Sequence, residues 1–189
     1  MENPDPNSVK NYFERLSRAI SDVPFADVSI LAQAIKEVSA VGGTIWIAGN
    51  GGSAATANHM AVDLSFGVKP LGSVRAISLS DNSASLTATG NDVGFNEVFS
   101  RQIASVGKSG DLLIVISASG NSSNLLQAVS QAKLSNLRTS AILGFDGGKL
   151  ANLVDFPIVT VCELGDYGIA EDLHLAVNHC LKELLTNEV

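Results

Sequence analysis

Gly49-Asn50-Gly51-Gly52-Ser53 follows a short apolar run, Thr44-Ile45-Trp46-Ile47-Ala48, and leads into a helix-like stretch from Ala54 to Phe66. Strand, glycine-rich turn and helix, in that order, aim free backbone N–H groups and a helix N-terminus at an anion. Gly51 and Gly52 remove the Cβ atoms that would block a close approach, and Ser53 suits an N-cap or a hydroxyl donor. Within the helix His59 and Asp63 are four apart, so both project from one face. The stretch reads as one half of an active site, an oxyanion cradle followed by an imidazole and a carboxylate.

Around it, apolar runs alternate with helical patterns. Two amphipathic helices come first, one from about Ser8 to Ile20 closed by Ser21-Asp22-Val23-Pro24, the other from about Asp27 to Val38. Residues 1–7 read as a loose tail, and Gly67 to Gly72 as a breaker-rich loop after the site helix. Further strands are predicted at Val74–Leu79, Asp111–Ile116, Arg138–Leu143 and Phe156–Val161, with helices at Ala84–Thr89, Phe95–Val106, after Ser122, and from Ile169 to Leu185. Nearly unbroken Ile, Val and Leu in these strands predicts a doubly wound, five-stranded parallel α/β sheet with an N-terminal helical pair, in one domain over 1–189. In such sheets ligands bind beyond the carboxyl ends of the strands, at the switch point.

Composition narrows the partners. A net charge of −7, from 12 Lys+Arg against 19 Asp+Glu, argues against nucleic acid or an anionic membrane as partner. With 46% hydrophobic and only 16% charged residues, some apolar surface is expected to go into subunit contacts. No run approaches the ~18 apolar residues of a membrane span, and the acidic N-terminus has no apolar core of a signal peptide, so a cytoplasmic location is expected. Cys162 and Cys180 are expected to be buried, reduced thiols.

A second polar turn, Ser117-Ala118-Ser119-Gly120-Asn121-Ser122, carries three hydroxyls just ahead of a helix, a phosphate pocket that needs no lysine, although Ser and Asn also favour ordinary N-caps. No GxxxxGK[ST] is present, Ala54 holds the third glycine position of GxGxxG, and no acidic residue stands where a ribose partner should. A P-loop and a dinucleotide site are thus disfavoured. The last helix contains Glu171 and His179, eight apart and within about 80° of each other at ~100° per residue. With His59 and Asp63 they suit either paired acid/base catalysis or a Zn²⁺ site, though each pair also suits a solvated helix face. His174 reads as a structural or interface histidine.

Gly49-Asn50-Gly51-Gly52-Ser53, Ser117-x-Ser119-Gly120-Asn121-Ser122, Asn91-Asp92-x-Gly94-Phe95 and Glu171-x-x-His174-(x)₄-His179 together resemble the sugar isomerase (SIS) domain. More narrowly they resemble the phosphoheptose isomerases, over roughly the whole chain. The resemblance implies a flavodoxin-like homotetramer in which residues 1–42 pack between subunits and active sites form across them. It assigns substrate binding to Asn50, Gly51, Gly52, Ser53, Asp92, Ser117, Ser119, Ser122 and Glu171. Asp63 takes the catalytic carboxylate's position and His179 the catalytic imidazole's, and His59, Asp63, Glu171 and His179 the positions that bind zinc in some members. Four positions depart from the pattern: Asp63 is usually Glu, Glu171 Gln, Gly67 Arg, and Ala118 the Thr of a Ser-Thr-Ser run. A carboxylate at Glu171 strengthens a cation site, and so favours Zn²⁺.

The implied activity is aldose–ketose isomerisation of a sugar phosphate through an enediol(ate), sedoheptulose 7-phosphate to D-glycero-D-manno-heptose 7-phosphate or its altro isomer. The alternative from another class is a non-catalytic SIS regulator that binds a sugar phosphate or a replication-initiator protein. The presence of both Asp63 and His179 favours the enzyme.

Overall fold

Thr44–Gly49 (β1), Arg75–Ser78 (β2), Leu112–Ser117 (β3), Arg138–Leu143 (β4) and Phe156–Val159 (β5) form one sheet in a computed structural model that describes residues 5–68 and 74–186. The strand order is β2-β1-β3-β4-β5 and every pairing is parallel, as the apolar runs predict. β1 and β3 are buried along their whole length. Alternation then divides the core. Ile45, Ile47, Ile114, Ile116 and Ile142 face a layer made by α2 (Phe25–Ala40), α3 (Gly52–Gly67) and α7 (Tyr167–Thr186). Trp46, Ala48, Leu113, Val115 and Leu143 face α5 (Ser100–Val106) and α6 (Ser123–Leu134). Between β2 and β3 the chain also forms α4 (Ser83–Asp92).

Several boundaries differ from expectation. α1 (Pro6–Ser21) begins two residues early, because the Asp5 carboxylate caps the Asn7 N–H and Pro6 suits the first turn. The helix expected over Phe95–Val106 breaks into a 3₁₀ turn at Phe95–Glu97 and α5, where the Ser100 hydroxyl donates to the Glu97 carbonyl. β2 starts at Arg75, and β5 stops at Val159. Lys69 to Gly72 of the expected loop, and residues 1–4 of the expected tail, lie outside the described residues. The thiols are not buried as expected: Cys162 is half-buried, and Cys180 is exposed on α7 among apolar neighbours.

One buried carboxylate ties the two central strands at their starts. Asp111 accepts from the Thr44 N–H at 2.8 Å, the Trp46 indole N–H at 2.9 Å and the Lys108 N–H at 3.0 Å. Asp111→Ala would leave these donors unpaired and is expected to cost about 2–4 kcal/mol in urea unfolding; a loss indistinguishable from zero would show that water replaces the carboxylate.

Candidate active site

β1 and β3 are neighbours in register, Gly49 opposite Ile116, and the chain leaves them toward opposite faces of the sheet. That is the switch point, and both polar turns open there. Gly51, at φ 55°, is the cap of α3, so Ser53 sits inside the first turn rather than at the N-cap. The helix's first internal bonds come from Ala54, which leaves the Gly52 and Ser53 N–H groups pointing outward. Across the crevice Ser122 occupies the cap position of α6 without spending its hydroxyl on the helix, whereas Ser117 and Ser119 accept from the Gly120 and Asn121 N–H groups. Gly120, at φ 60°, cannot carry a side chain: a Cβ would lie 2.0 Å from the Gly147 carbonyl oxygen.

The two turns wall one cavity of about 280 Å³. It is lined by Asn50, Gly51, Gly52, Ser53, Ser117, Ser119, Ser122 and Glu171, joined by Ile116, Ala118 and Tyr167. Every proposed substrate contact except Asp92 is among them. Asp92 ends α4, exposed, with its carboxylate accepting from Asn91. Asn50 and Asn124 lock the turns together by a reciprocal amide pair of 3.0 and 2.9 Å.

The acid/base pair lies farther along the same helix. Asp63 is buried, and its Oδ2 is 3.4 Å from His59 Nε2 and 4.0 Å from His179 Nε2, all of them within 4.8 Å of one another. This cluster of two imidazoles and one carboxylate can hold a metal ion, and its N/O donor set suits Zn²⁺. Glu171 does not join it, despite the expected four-residue set. Its carboxylate lies against Gly52, where a Cβ would come within 2.3 Å of Oε2, about 12 Å of helix rise before His179. Asp63 also accepts from Asn178 Nδ2 at 2.9 Å and Lys182 Nζ at 3.0 Å. Burial pushes this carboxyl up, but the Lys182 and Asn178 hydrogen bonds and the Lys182 charge outweigh it and hold it below the usual range.

Sequence reasoning missed Tyr167, Asn124, Asn178 and Lys182. Tyr167 stands four before Glu171 and Lys182 four after Asn178 on α7, so helical spacing was the available signal. Nothing local marks Asn124.

Residues 10–144 match the SIS domain family model. The chain is 39% identical over 177 residues to a phosphoheptose isomerase of Chlorobaculum parvum, covering 91% of this chain and 81% of that protein. It is 36% identical to one from Geotalea daltonii, covering 95% and 91%. The solved phosphoheptose isomerase of Neisseria gonorrhoeae superposes with a TM-score of 0.87 at 30% identity, over 95% of this chain and 97% of that one. The chain belongs to the SIS-domain family, among its phosphoheptose isomerases. The phosphoheptose isomerase resemblance carried by the turns and the last helix thus extends over nearly the whole chain.

His174, in the same helix as His179, is wholly buried, and neither ring nitrogen has a hydrogen-bond partner among the described residues. It is structural within this subunit. Burial lowers it from 6.5 to about 4. The unfolded ring takes up a proton near its ordinary value while the folded one resists until about pH 4. Stability is therefore expected to fall as pH drops between these values, by up to about 3 kcal/mol. His174→Gln should flatten that dependence in urea unfolding followed from pH 7 to 4, and an equally steep fall in the variant would contradict the assignment.

Proposed function

We propose that the chain interconverts sedoheptulose 7-phosphate and D-glycero-D-manno-heptose 7-phosphate, or its altro isomer, through an enediol(ate). The observation that carries this reading is one helix with two functions at its two ends. α3 opens on an anion cradle at Gly52 and Ser53 and bears, toward its other end, a buried ionised carboxylate between two imidazoles. Ser53 and Asp63 are about 15 Å apart along the helix axis, so an occupant that meets both must be long and extended. A seven-carbon chain with a terminal phosphate suits that separation better than a short sugar.

The cradle would seat the phosphate through the Ser53, Ser119 and Ser122 hydroxyls and the N–H groups opening α3 and α6, with Ser117 shaping the turn. Asn50, paired to Asn124, and Glu171 line the path of the sugar. Asp63 Oδ2 takes the proton from carbon beside the carbonyl and returns it to the neighbouring carbon. His179 moves the proton between the two oxygens. His59, Asp63 and His179 would hold a Zn²⁺ ion, with Glu171 as a further contact only if its side chain leaves Gly52; the ion when bound would supply Lewis-acid polarisation of the sugar oxygens in place of the proton relay by His179. A purely regulatory role gains nothing from the carboxylate–imidazole pair.

Assembly belongs to the same proposal. α1 has no buried residue and exposes Val9, Phe13 and Ile20, while Phe25, Cys180 and Leu184 edge an apolar groove between the N-terminal pair and α7. Subunits packed through residues 1–42 as a homotetramer would cover it, and Asp92, away from its own cavity, would serve a neighbour's. No helix among the described residues is long and apolar enough to cross a membrane, which accords with a cytoplasmic location.

The test is NMR of sedoheptulose 7-phosphate with the protein in D₂O. An aldose anomeric signal with deuterium at C2 is expected, and its absence with metal restored would send the assignment to another ketose phosphate. Asp63→Asn and His179→Gln should each lower turnover by about 10²–10⁴-fold while the fold survives. Sedimentation at micromolar concentration should show four subunits, and a monomer would overturn the assembly.

A further inference from the structure

The Lys182–Asp63 contact resembles a helix-surface ion pair until its two ends are compared. Lys182 is half-exposed, yet its partner is only 6% exposed and carries the proposed chemistry. The two carboxylate oxygens are divided: Oδ1 takes the ammonium at 3.0 Å, while Oδ2 takes Asn178 and faces both imidazoles. The final torsion of an Asp side chain is broad and nearly two-fold, so an unheld carboxylate would exchange its oxygens. The ammonium suppresses that exchange.

The route of the lysine is equally specific. A Cβ on Gly67 would lie 2.7 Å from Lys182 Cε and 3.5 Å from its Cδ and Cγ, so the lysine stem fills the room of a side chain at position 67. The Thr186 hydroxyl, within 3.2 Å of the Gly67 carbonyl and 2.7 Å of the Lys182 carbonyl, ties the two helix ends where this happens. Residue 67 is also one turn after Asp63 on α3, the (i, i+4) neighbour from which a basic side chain would reach the same carboxylate.

We propose that Lys182 is a positioning residue for Asp63, its ammonium holding one carboxylate oxygen so that the other faces the two imidazoles, and that Gly67 is the vacancy that admits it. The role rests on Asp63 being the base. Lys182 does not touch the substrate; it fixes which oxygen meets it. A cation carried from position 67 is interchangeable with the lysine, and a side chain there would push the end of Lys182 off its present path.

The test is steady-state kinetics with sedoheptulose 7-phosphate on Lys182→Met, Lys182→Arg, the double variant Gly67→Arg/Lys182→Met and Asp63→Asn, each checked by thermal unfolding. Lys182→Met is expected to lower kcat by roughly tenfold to a hundredfold, the usual effect of losing a group that orients a working side chain, with KM little changed. Lys182→Arg should recover most of kcat, and the double variant should exceed Lys182→Met. An unchanged kcat in folded Lys182→Met overturns the proposal. So does equal loss in the Met, Arg and double variants, which would reduce the lysine to packing. Asp63→Asn separates the two assignments: turnover retained there sinks Asp63 as base, whereas Asp63→Asn dead and Lys182→Met fully active sinks only the lysine.

Discussion

The side-by-side packing of α3 and α7 is the constraint on which the site depends. Each follows a parallel strand, α3 after β1 and α7 after β5, and each must return across the same face of the sheet. The two helices therefore run in the same direction and stay in step. Glu171 meets Gly52 at their beginning, Asn178 meets Asp63 midway, and Thr186 meets Gly67 at the end. A glycine stands where each long α7 side chain crosses over α3, first Glu171 and then Lys182. The topology that creates the crevice at the carboxyl ends of β1 and β3 also lays out a second line of functional groups along this seam.

This arrangement explains what could be read in the chain beforehand. The two polar turns were legible because strand, turn and helix N-terminus are contiguous, and their chemistry is that of the backbone itself. Residues 49–53 and 117–122 needed only to be neighbours, which a parallel sheet in the observed order supplies. His59 and Asp63 were legible from helical spacing. The partners of Asp63 were not: Asn178 and Lys182 lie 115 and 119 residues away, and only the step between two helices selects them. Glu171 shows the same gap in reverse. Its spacing from His179 placed both on one side of α7, but helix rise separates them by about 12 Å, so one face did not mean one site. The exposed Cys180 was misread because an apolar neighbourhood in sequence is an apolar surface when no other element of the subunit covers it.

The same seam accounts for an aspartate where the family usually carries glutamate. Asp63 is one methylene shorter and stays close to the axis of its helix, which is why it is 6% exposed and within reach of α7. Burial alone would favour the protonated acid and leave a base unable to accept a proton. An amide and an ammonium from the facing helix reverse that preference, and they do so asymmetrically, one oxygen each. Two departures from the family pattern, a shorter carboxylate at 63 and an empty side-chain position at 67, then become one adjustment with the cation that α7 delivers through the space left there. A bulky residue at 67 would displace the end of Lys182 from its path to Asp63, and a glycine at 67 without a basic partner would leave Asp63 buried with the amide as its only strong donor. The pair is coherent only when taken together, and it is the parallel step of α3 and α7 that brings the two positions face to face.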